Sequence, residues 1–113
     1  MKVTCISIIL ALGGALAFGS PASAEDSATV RVALKDHHFV PAEPTAAAGK
    51  PITIEVTNMD STPSEFESKT LRVEKVVNGG GKITLQIRAL SPGRYRFFDD
   101  YHEDTTEGFL VVK

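Results

Sequence analysis

Short alternations of apolar and polar residues recur along this chain from residue 29 onward, separated by turn-forming clusters. Four segments alternate with a period of two: "TVRVALK", "PITIEVTN", "KITLQIRAL" and "RYRFF". A period of two is typical of strands that bury one face. The positions predicted to face a core are Val30, Val32, Leu34, Ile52, Ile54, Val56, Ile83, Leu85, Ile87, Tyr95 and Phe97.

The segments between these alternations predict turns. "NGGGK" is the strongest turn signal and is predicted to be a hairpin turn, and "SPG" predicts a corner before the Tyr95 strand. No segment has a convincing helical period, because the nearest candidate, "SKTLRVEKVV", contains Val residues that favour strand. About seven short strands with regular turns predict an all-β protein, a Greek-key β-sandwich.

The first residues have the pattern of a secretory signal peptide. Lys2 precedes an apolar run over residues 8–18, and Ala22 and Ala24 occupy A-x-A positions. The run is shorter than the roughly 20 residues that a membrane span needs. We therefore expect residues 1–24 to be cleaved and residues 25–113 to form one domain without a membrane span, exported to the periplasm. A retained membrane anchor is the alternative.

Charge and cysteine content restrict the function of residues 25–113. They carry eleven Lys and Arg against fourteen Asp and Glu, a net charge of −3 without a basic stripe, which argues against nucleic-acid binding. The single cysteine, Cys5, lies in the predicted signal peptide. The exported domain is therefore predicted to have neither a disulfide nor a thiolate metal ligand.

Groups able to bind a cation crowd into the loop before the last strand. Asp99 shares strand parity with Tyr95 and Phe97 and should point to the inner face, where a carboxylate is costly unless it is paired or binds a metal. From the residues alone, an acidic solvated loop with one surface histidine is the favoured interpretation. The group is Asp99, Asp100, His102, Glu103, Asp104 and Glu107.

Two further segments contain candidate metal ligands. In "EFE", an extended backbone would put Glu65 and Glu67 on one face and Phe66 in the core. In "DHH", at the predicted end of the first strand, His37 and His38 should point to opposite faces, so both are not expected to bind one ion. From the residues alone, two surface glutamates and a structural or surface histidine pair are the favoured interpretations of these segments.

The chain resembles the cupredoxins. The resemblance lies in the "AGK" turn, the strand ending in N-x-D, "PG-x-Y-x-F", and a His-bearing loop before "G-x-L-V-V". When the chain is aligned with the ligands of a blue-copper site, Asp99 takes the position of the Cys, His102 that of the following His and Glu107 that of the axial Met. The earlier His position falls near Ser64 or Glu65. The resemblance therefore implies the fold but not a type 1 copper centre, which needs a Cys thiolate.

A narrower resemblance concerns the small cupredoxin-like proteins associated with bacterial iron-permease uptake systems, relatives of the cupredoxin-like domain of EfeO. It rests on "KDHHFVPAEP", "TPSEFES", "LRVEKVV" and "FFDDYHEDT". Two positions depart from that pattern, since Ser64 replaces an acid and Asp99 replaces a Gly. Strand parity for Asp99, and the resemblance for the other positions, predict the metal ligands Glu65, Glu67, Asp99, Asp100, His102, Glu103 and His37.

Together with the export pattern, the resemblance implies an exported accessory protein of iron uptake or of copper-linked iron uptake. It would bind a transition-metal ion, Fe or Cu(II), through carboxylates and His102, and its partner would be an iron permease or a periplasmic iron-binding protein. Two alternatives remain. One is an enzyme, a periplasmic ferroxidase, and the other is a metal-free docking module for a permease.

Overall fold

The computed structural model of the protein describes residues 28–113, so the predicted signal peptide lies outside the described residues. Residues 28–113 form nine strands and one short 3₁₀ helix, Asp100–His102. The strands are β1 (Ala28–Lys35), β2 (His38–Val40), β3 (Thr45–Ala46), β4 (Ile52–Asn58), β5 (Ser64–Ser68), β6 (Val73–Val77), β7 (Lys82–Ile87), β8 (Gly93–Asp99) and β9 (Glu107–Val112).

The strands pack as two sheets, which confirms the predicted all-β sandwich. One sheet has four strands in the order β2-β1-β4-β7, and the other has five in the order β3-β9-β8-β5-β6. β1 pairs with β4 in parallel, and β3 pairs with β9 in parallel, whereas the remaining pairs are antiparallel. Consecutive strands often lie in different sheets, so the chain crosses repeatedly between the two layers.

The core lies between the inner faces of the two sheets, because the alternating apolar residues point there. Val32, Leu34 and Val56 are at most 3 % exposed. Phe39, Phe66 and Phe97 pack together near one end, with ring centroids 4.9 to 5.9 Å apart. Burial of large aromatic rings supplies much of the stabilising free energy in so small a domain.

The sequence underestimated the number of strands. The structure has nine instead of about seven, and the additional ones, β2 and β3, are only three and two residues long. Strands this short carry too few alternating residues for a periodic pattern to be visible. No helix within residues 28–113 has the length and apolar character that crossing a membrane requires.

Two local predictions were wrong. The "NGGGK" segment is a turn but not a hairpin, because it joins β6 of the five-stranded sheet to β7 of the four-stranded sheet. Asp36 and His37 do not continue the first strand, since β1 ends at Lys35. These two residues form the β1–β2 turn with φ values of 53° and 61°.

The corner before β8 has the predicted form. The hydroxyl of Tyr95 donates a 2.7 Å hydrogen bond to the carbonyl oxygen of Ser91 in the preceding "SPG" turn. This bond fixes the direction in which β8 enters the sheet. β8 then leads to Asp99 and the 3₁₀ helix, where most of the candidate ligands lie.

Candidate metal-binding site

Asp99 is the last residue of β8 and its side chain is fully buried, as its parity with Phe97 predicted. Each of its two carboxylate oxygens accepts two hydrogen bonds. Oδ1 accepts from the backbone amides of Glu65 and Tyr101, each at 3.0 Å. Oδ2 accepts from the hydroxyl of Ser64 at 2.9 Å and lies 3.1 Å from Nδ1 of His102. The four acceptor positions of the carboxylate are therefore filled by protein groups.

These donors keep Asp99 ionised. Burial by itself would raise the pKa of Asp99, but hydrogen bonds from the Glu65 amide, His102, the Tyr101 amide and Ser64 lower it below its usual value. Because an ionised carboxylate only accepts, Nδ1 of His102 must carry the proton that they share. The other ring nitrogen, Nε2, then holds the lone pair of the neutral imidazole.

A carboxylate group lies beside this network on the outer face of the five-stranded sheet. Glu65 and Glu67 flank the buried Phe66 on β5, as the alternation predicted, and Asp100 follows β8. β5 pairs with β8, which brings the three acids together. One ligand oxygen from each of Glu65, Glu67 and Asp100 lies within 4.8 Å of the others. His102 does not belong to this group.

Negative neighbours dominate around Glu65 and Glu67, although the positive charge of Lys69 lowers the pKa of Glu67. Burial, the neighbouring Glu74 and Asp100 together raise the pKa of Glu65 to about 7. Burial, then Asp100 and Glu74, also raise the pKa of Glu67. Glu74 lies opposite Glu67 on β6, so a fourth acid faces the group across the strand pair. The electrostatic environment therefore favours a proton or another cation here.

Glu103 lies elsewhere, in an ion pair. Nη1 of Arg96 lies 3.3 Å from the Glu103 carboxylate, and Nε of the same residue lies 2.6 Å from Glu107. The guanidinium also stacks over the ring of Phe98, with its central carbon 4.5 Å from the ring centroid. Both acids thus have a cationic partner within the protein.

His37 lies next to His102 instead of next to the carboxylate group. The two rings approach with centroids 4.7 Å apart and a tilt of 47°. The structure thus separates the predicted ligands. Glu65, Glu67 and Asp100 form one group, whereas His37 and His102 form another, and Asp99 supports the second.

Sequence reasoning missed three contributors. Asp60 accepts hydrogen bonds from the amides of Asp36 and His37, Glu74 faces the carboxylate group, and Arg96 neutralises Glu103. Asp60 belongs to the N-x-D segment that carried the cupredoxin resemblance, so that motif was the available signal. Glu74 and Arg96 stand on other strands and have no local signature.

A type 1 copper centre does not fit these residues. Asp99, at the position assigned to the Cys ligand, has its acceptor positions filled, and Ser64, near the earlier His position, donates to it. Glu107, at the Met position, is bound to Arg96. The chain's single cysteine is Cys5, outside the described residues. Only His102 retains a ligand type that such a centre uses.

Comparison with protein families shows a match to the cupredoxin-like domain over residues 8–112. A curated relative, the uncharacterized protein RP394 of Rickettsia prowazekii (strain Madrid E), is 39 % identical over 83 residues. That match covers 74 % of this chain and 66 % of the relative, so the chain spans just under two thirds of the relative's length.

Solved structures with the same fold include copper proteins. The metal-binding domain of the Cu(I)-exporting P-type ATPase CopA from Streptococcus pneumoniae D39 matches with a TM-score of 0.67 and 14 % identity, covering 83 % of this chain and 91 % of that one. Auracyanin A, a blue copper protein from Chloroflexus aurantiacus, matches with a TM-score of 0.65 and 16 % identity, covering 78 % and 100 %. At these identities the matches establish the fold alone.

Proposed function

This chain belongs to the cupredoxin-like domain family, and we propose that it is an exported protein that binds a transition-metal ion through carboxylates instead of a thiolate. The proposed ligands are Glu65, Glu67 and Asp100. One observation carries the proposal: three carboxylates share one small region with oxygens within 4.8 Å, and a fourth acid, Glu74, faces them. A cation would relieve the repulsion that the fold imposes on them.

The chemistry of the ligands supports a hard or borderline cation. Carboxylate oxygens suit Fe, Mn and other ions that prefer oxygen, whereas soft thiolate sites suit Cu(I). The residues around "TPSEFES" and "FFDDYHEDT" resemble those of iron-uptake relatives, which supports iron as the cargo. Cu(II) is the second candidate, because it also binds through oxygen ligands.

The proposed physiological role is that of a periplasmic accessory protein in iron uptake. Its partner would be an iron permease or a periplasmic iron-binding protein that receives the cation. The half-buried position of Glu65 and Glu67 on an outer sheet face supports such transfer, because a partner can reach the site without opening the core.

The test is calorimetric titration of the protein with Fe(II) under anaerobic conditions and, separately, with Cu(II). We expect Glu65→Gln, Glu67→Gln and Asp100→Asn each to weaken binding by about tenfold or more, since even outer-shell partners of a metal matter that much. Asp104→Asn is the matched control, because Asp104 is an exposed acid of the neighbouring loop and lies outside the group. Equal affinity in all four variants would refute the site.

Two measurements separate the proposal from its alternatives. Catalytic oxidation of Fe(II) in air, lost in the same variants, would indicate a ferroxidase instead of a carrier. Native mass spectrometry without any retained metal, together with binding to a permease, would indicate a docking module.

A further inference from the structure

Two histidines that are 65 positions apart in the sequence meet at one end of the sandwich. His37 lies in the turn between β1 and β2, and His102 ends the 3₁₀ helix after β8. Their rings are 4.7 Å apart, centroid to centroid, at a tilt of 47°. Both side chains are partly exposed, at 47 % for His37 and 43 % for His102. An ion from solvent can therefore reach the pair.

A carboxylate lies on the Nδ1 side of each imidazole, within hydrogen-bond distance for His102 and at ion-pair distance for His37. Nδ1 of His102 lies 3.1 Å from Oδ2 of Asp99, and Nδ1 of His37 lies 3.9 Å from Oδ2 of Asp60. Histidines that bind metals usually present the other ring nitrogen to a carboxylate or carbonyl, which orients the ring and sets its tautomer. The Asp99 bond leaves Nε2 of His102 as its coordinating atom, and we assign Nε2 of His37 because Nδ1 of that ring is on the Asp60 side.

The backbone that presents His37 is costly for a residue with a side chain. Asp36 and His37 both have positive φ, 53° and 61°, where glycine is the favoured residue. Two hydrogen bonds to the Asp60 carboxylate, at 2.7 and 2.9 Å, hold their amides in this turn. An imidazole kept at a position that glycine would fill at lower cost indicates a use for the side chain.

The turn is also tied directly to the His102 loop. The hydroxyl of Thr106, which is 1 % exposed, donates a 2.8 Å hydrogen bond to the carbonyl oxygen of His37. The amide of Thr106 in turn donates to the carbonyl of His102 at 3.0 Å. One buried residue therefore fixes the separation of the two histidines. Ligands held in advance lose less conformational entropy when an ion binds.

From this geometry we propose that His37 and His102 form a second metal site, separate from the carboxylate group, which binds one borderline divalent cation such as Zn(II) or Cu(II) through the two Nε2 atoms. Imidazole is the ligand that these ions favour, and water completes the coordination. Asp60 and Asp99 act as positioning residues. The site does not depend on the proposed carboxylate site, which offers only oxygen ligands.

Titration with Zn(II), followed by NMR of the imidazole ring protons and by calorimetry, tests the proposal. The protein carries Glu65→Gln and Glu67→Gln, so that the carboxylate group does not contribute to binding. We expect Zn(II) to shift the ring signals of His37 and His102 and to leave those of His38 unchanged. His38 is the internal control, because it is an exposed histidine on β2 directly after His37.

The decisive variant is His37→Gly. Glycine suits the positive φ at this position, so removal of the imidazole should leave the stability unchanged or raised while Zn(II) affinity falls about tenfold or more, by comparison with known losses at metal sites. His102→Ala should cause a similar loss, and His38→Ala should cause none. Unchanged Zn(II) affinity in folded His37→Gly or His102→Ala protein would overturn the proposal and leave the rings as a packing contact.

Discussion

The backbone amide of Glu65 donates a hydrogen bond to the Asp99 carboxylate, yet the pKa values of the two side chains move in opposite directions. Asp99 is surrounded by donors, which outweigh the effect of its burial. For Glu65, partial burial and the neighbouring acids Glu74 and Asp100 all raise the pKa. Asp99 therefore acts as a structural anion, whereas Glu65 is the group at which a proton would compete with the proposed metal ion.

A pH dependence follows from the Glu65 environment. The pKa of Glu65 is about 7 in the folded chain and has its usual value of 4.5 in the unfolded chain. Between pH 4.5 and about 7, Glu65 is therefore protonated in the folded chain and ionised in the unfolded chain. The contribution of Glu65 to the free energy of unfolding should then be present at low pH and be lost as pH rises to about 7. We expect metal-free Glu65→Gln to gain stability relative to the parent over this range.

Urea unfolding of both proteins at several pH values measures this difference. Asp104→Asn is again the control and should follow the parent, because Asp104 lies outside the carboxylate group. A difference between Glu65→Gln and the parent that does not change with pH would contradict the assigned environment of Glu65.

At the scale of elements, the glycine turn between β6 and β7 supports the loop that contains Asp60. The amide of Gly80 donates to the carbonyl of Asp60 at 3.0 Å, and the amide of Asn58 donates to the carbonyl of Gly81 at 2.8 Å. A Cβ on Gly79 would collide with the backbone carbonyl of Ser61. The turn thus needs glycine for a close approach between loops.

We expect Gly79→Ala to destabilise the protein by about 2–3 kcal/mol, because the backbone of Ser61 has to move to admit the methyl group. Gly80→Ala is the matched comparison. Its Cβ meets open space, but its φ of 74° costs a side chain about 1–2 kcal/mol. Chemical denaturation gives both values, and a Gly79→Ala protein as stable as the parent would show that the two loops are not in close contact.

At the scale of the whole molecule, the sandwich has kept the arrangement of a cupredoxin while the residues at its copper-ligand positions have changed. The buried position assigned to a thiolate holds Asp99, and its hydrogen bonds connect β5, β8 and the 3₁₀ helix. The groups at these positions hydrogen-bond to one another around Asp99 instead of surrounding a copper ion. The two proposed metal sites lie elsewhere, on the outer face of the five-stranded sheet and at the His37–His102 pair.

The protein should consequently remain without intense blue colour when it is titrated with Cu(II). The blue band of blue-copper proteins comes from a Cu–thiolate bond. Cu(II) bound by oxygen and nitrogen is instead weakly coloured and tetragonal. An absorption spectrum of residues 25–113, the predicted exported domain, provides the measurement, since these residues contain no cysteine. An intense blue band in that protein would contradict the ligand assignment.

Much of the architecture follows from the sequence alone. The period-two alternation predicted the inner faces of β1, β4 and β8, and parity placed Phe66 and Asp99 in the interior. These features depend on neighbours in the sequence, because strand geometry alternates side chains residue by residue. The absence of a cysteine from residues 28–113 is equally read from the sequence, which has Asp99 at the position assigned to the Cys ligand.

Only the tertiary structure decided how the candidate ligands are grouped. Glu65 and Asp100 meet because β5 pairs with β8, and His37 meets His102 because Thr106 and Asp60 join three separate loops. The sequence placed six acidic or imidazole groups in one short loop, but Arg96 removes Glu103 and Glu107 from that set by pairing with them. Contacts between distant segments depend on sheet order and loop packing, which no local pattern of residues encodes.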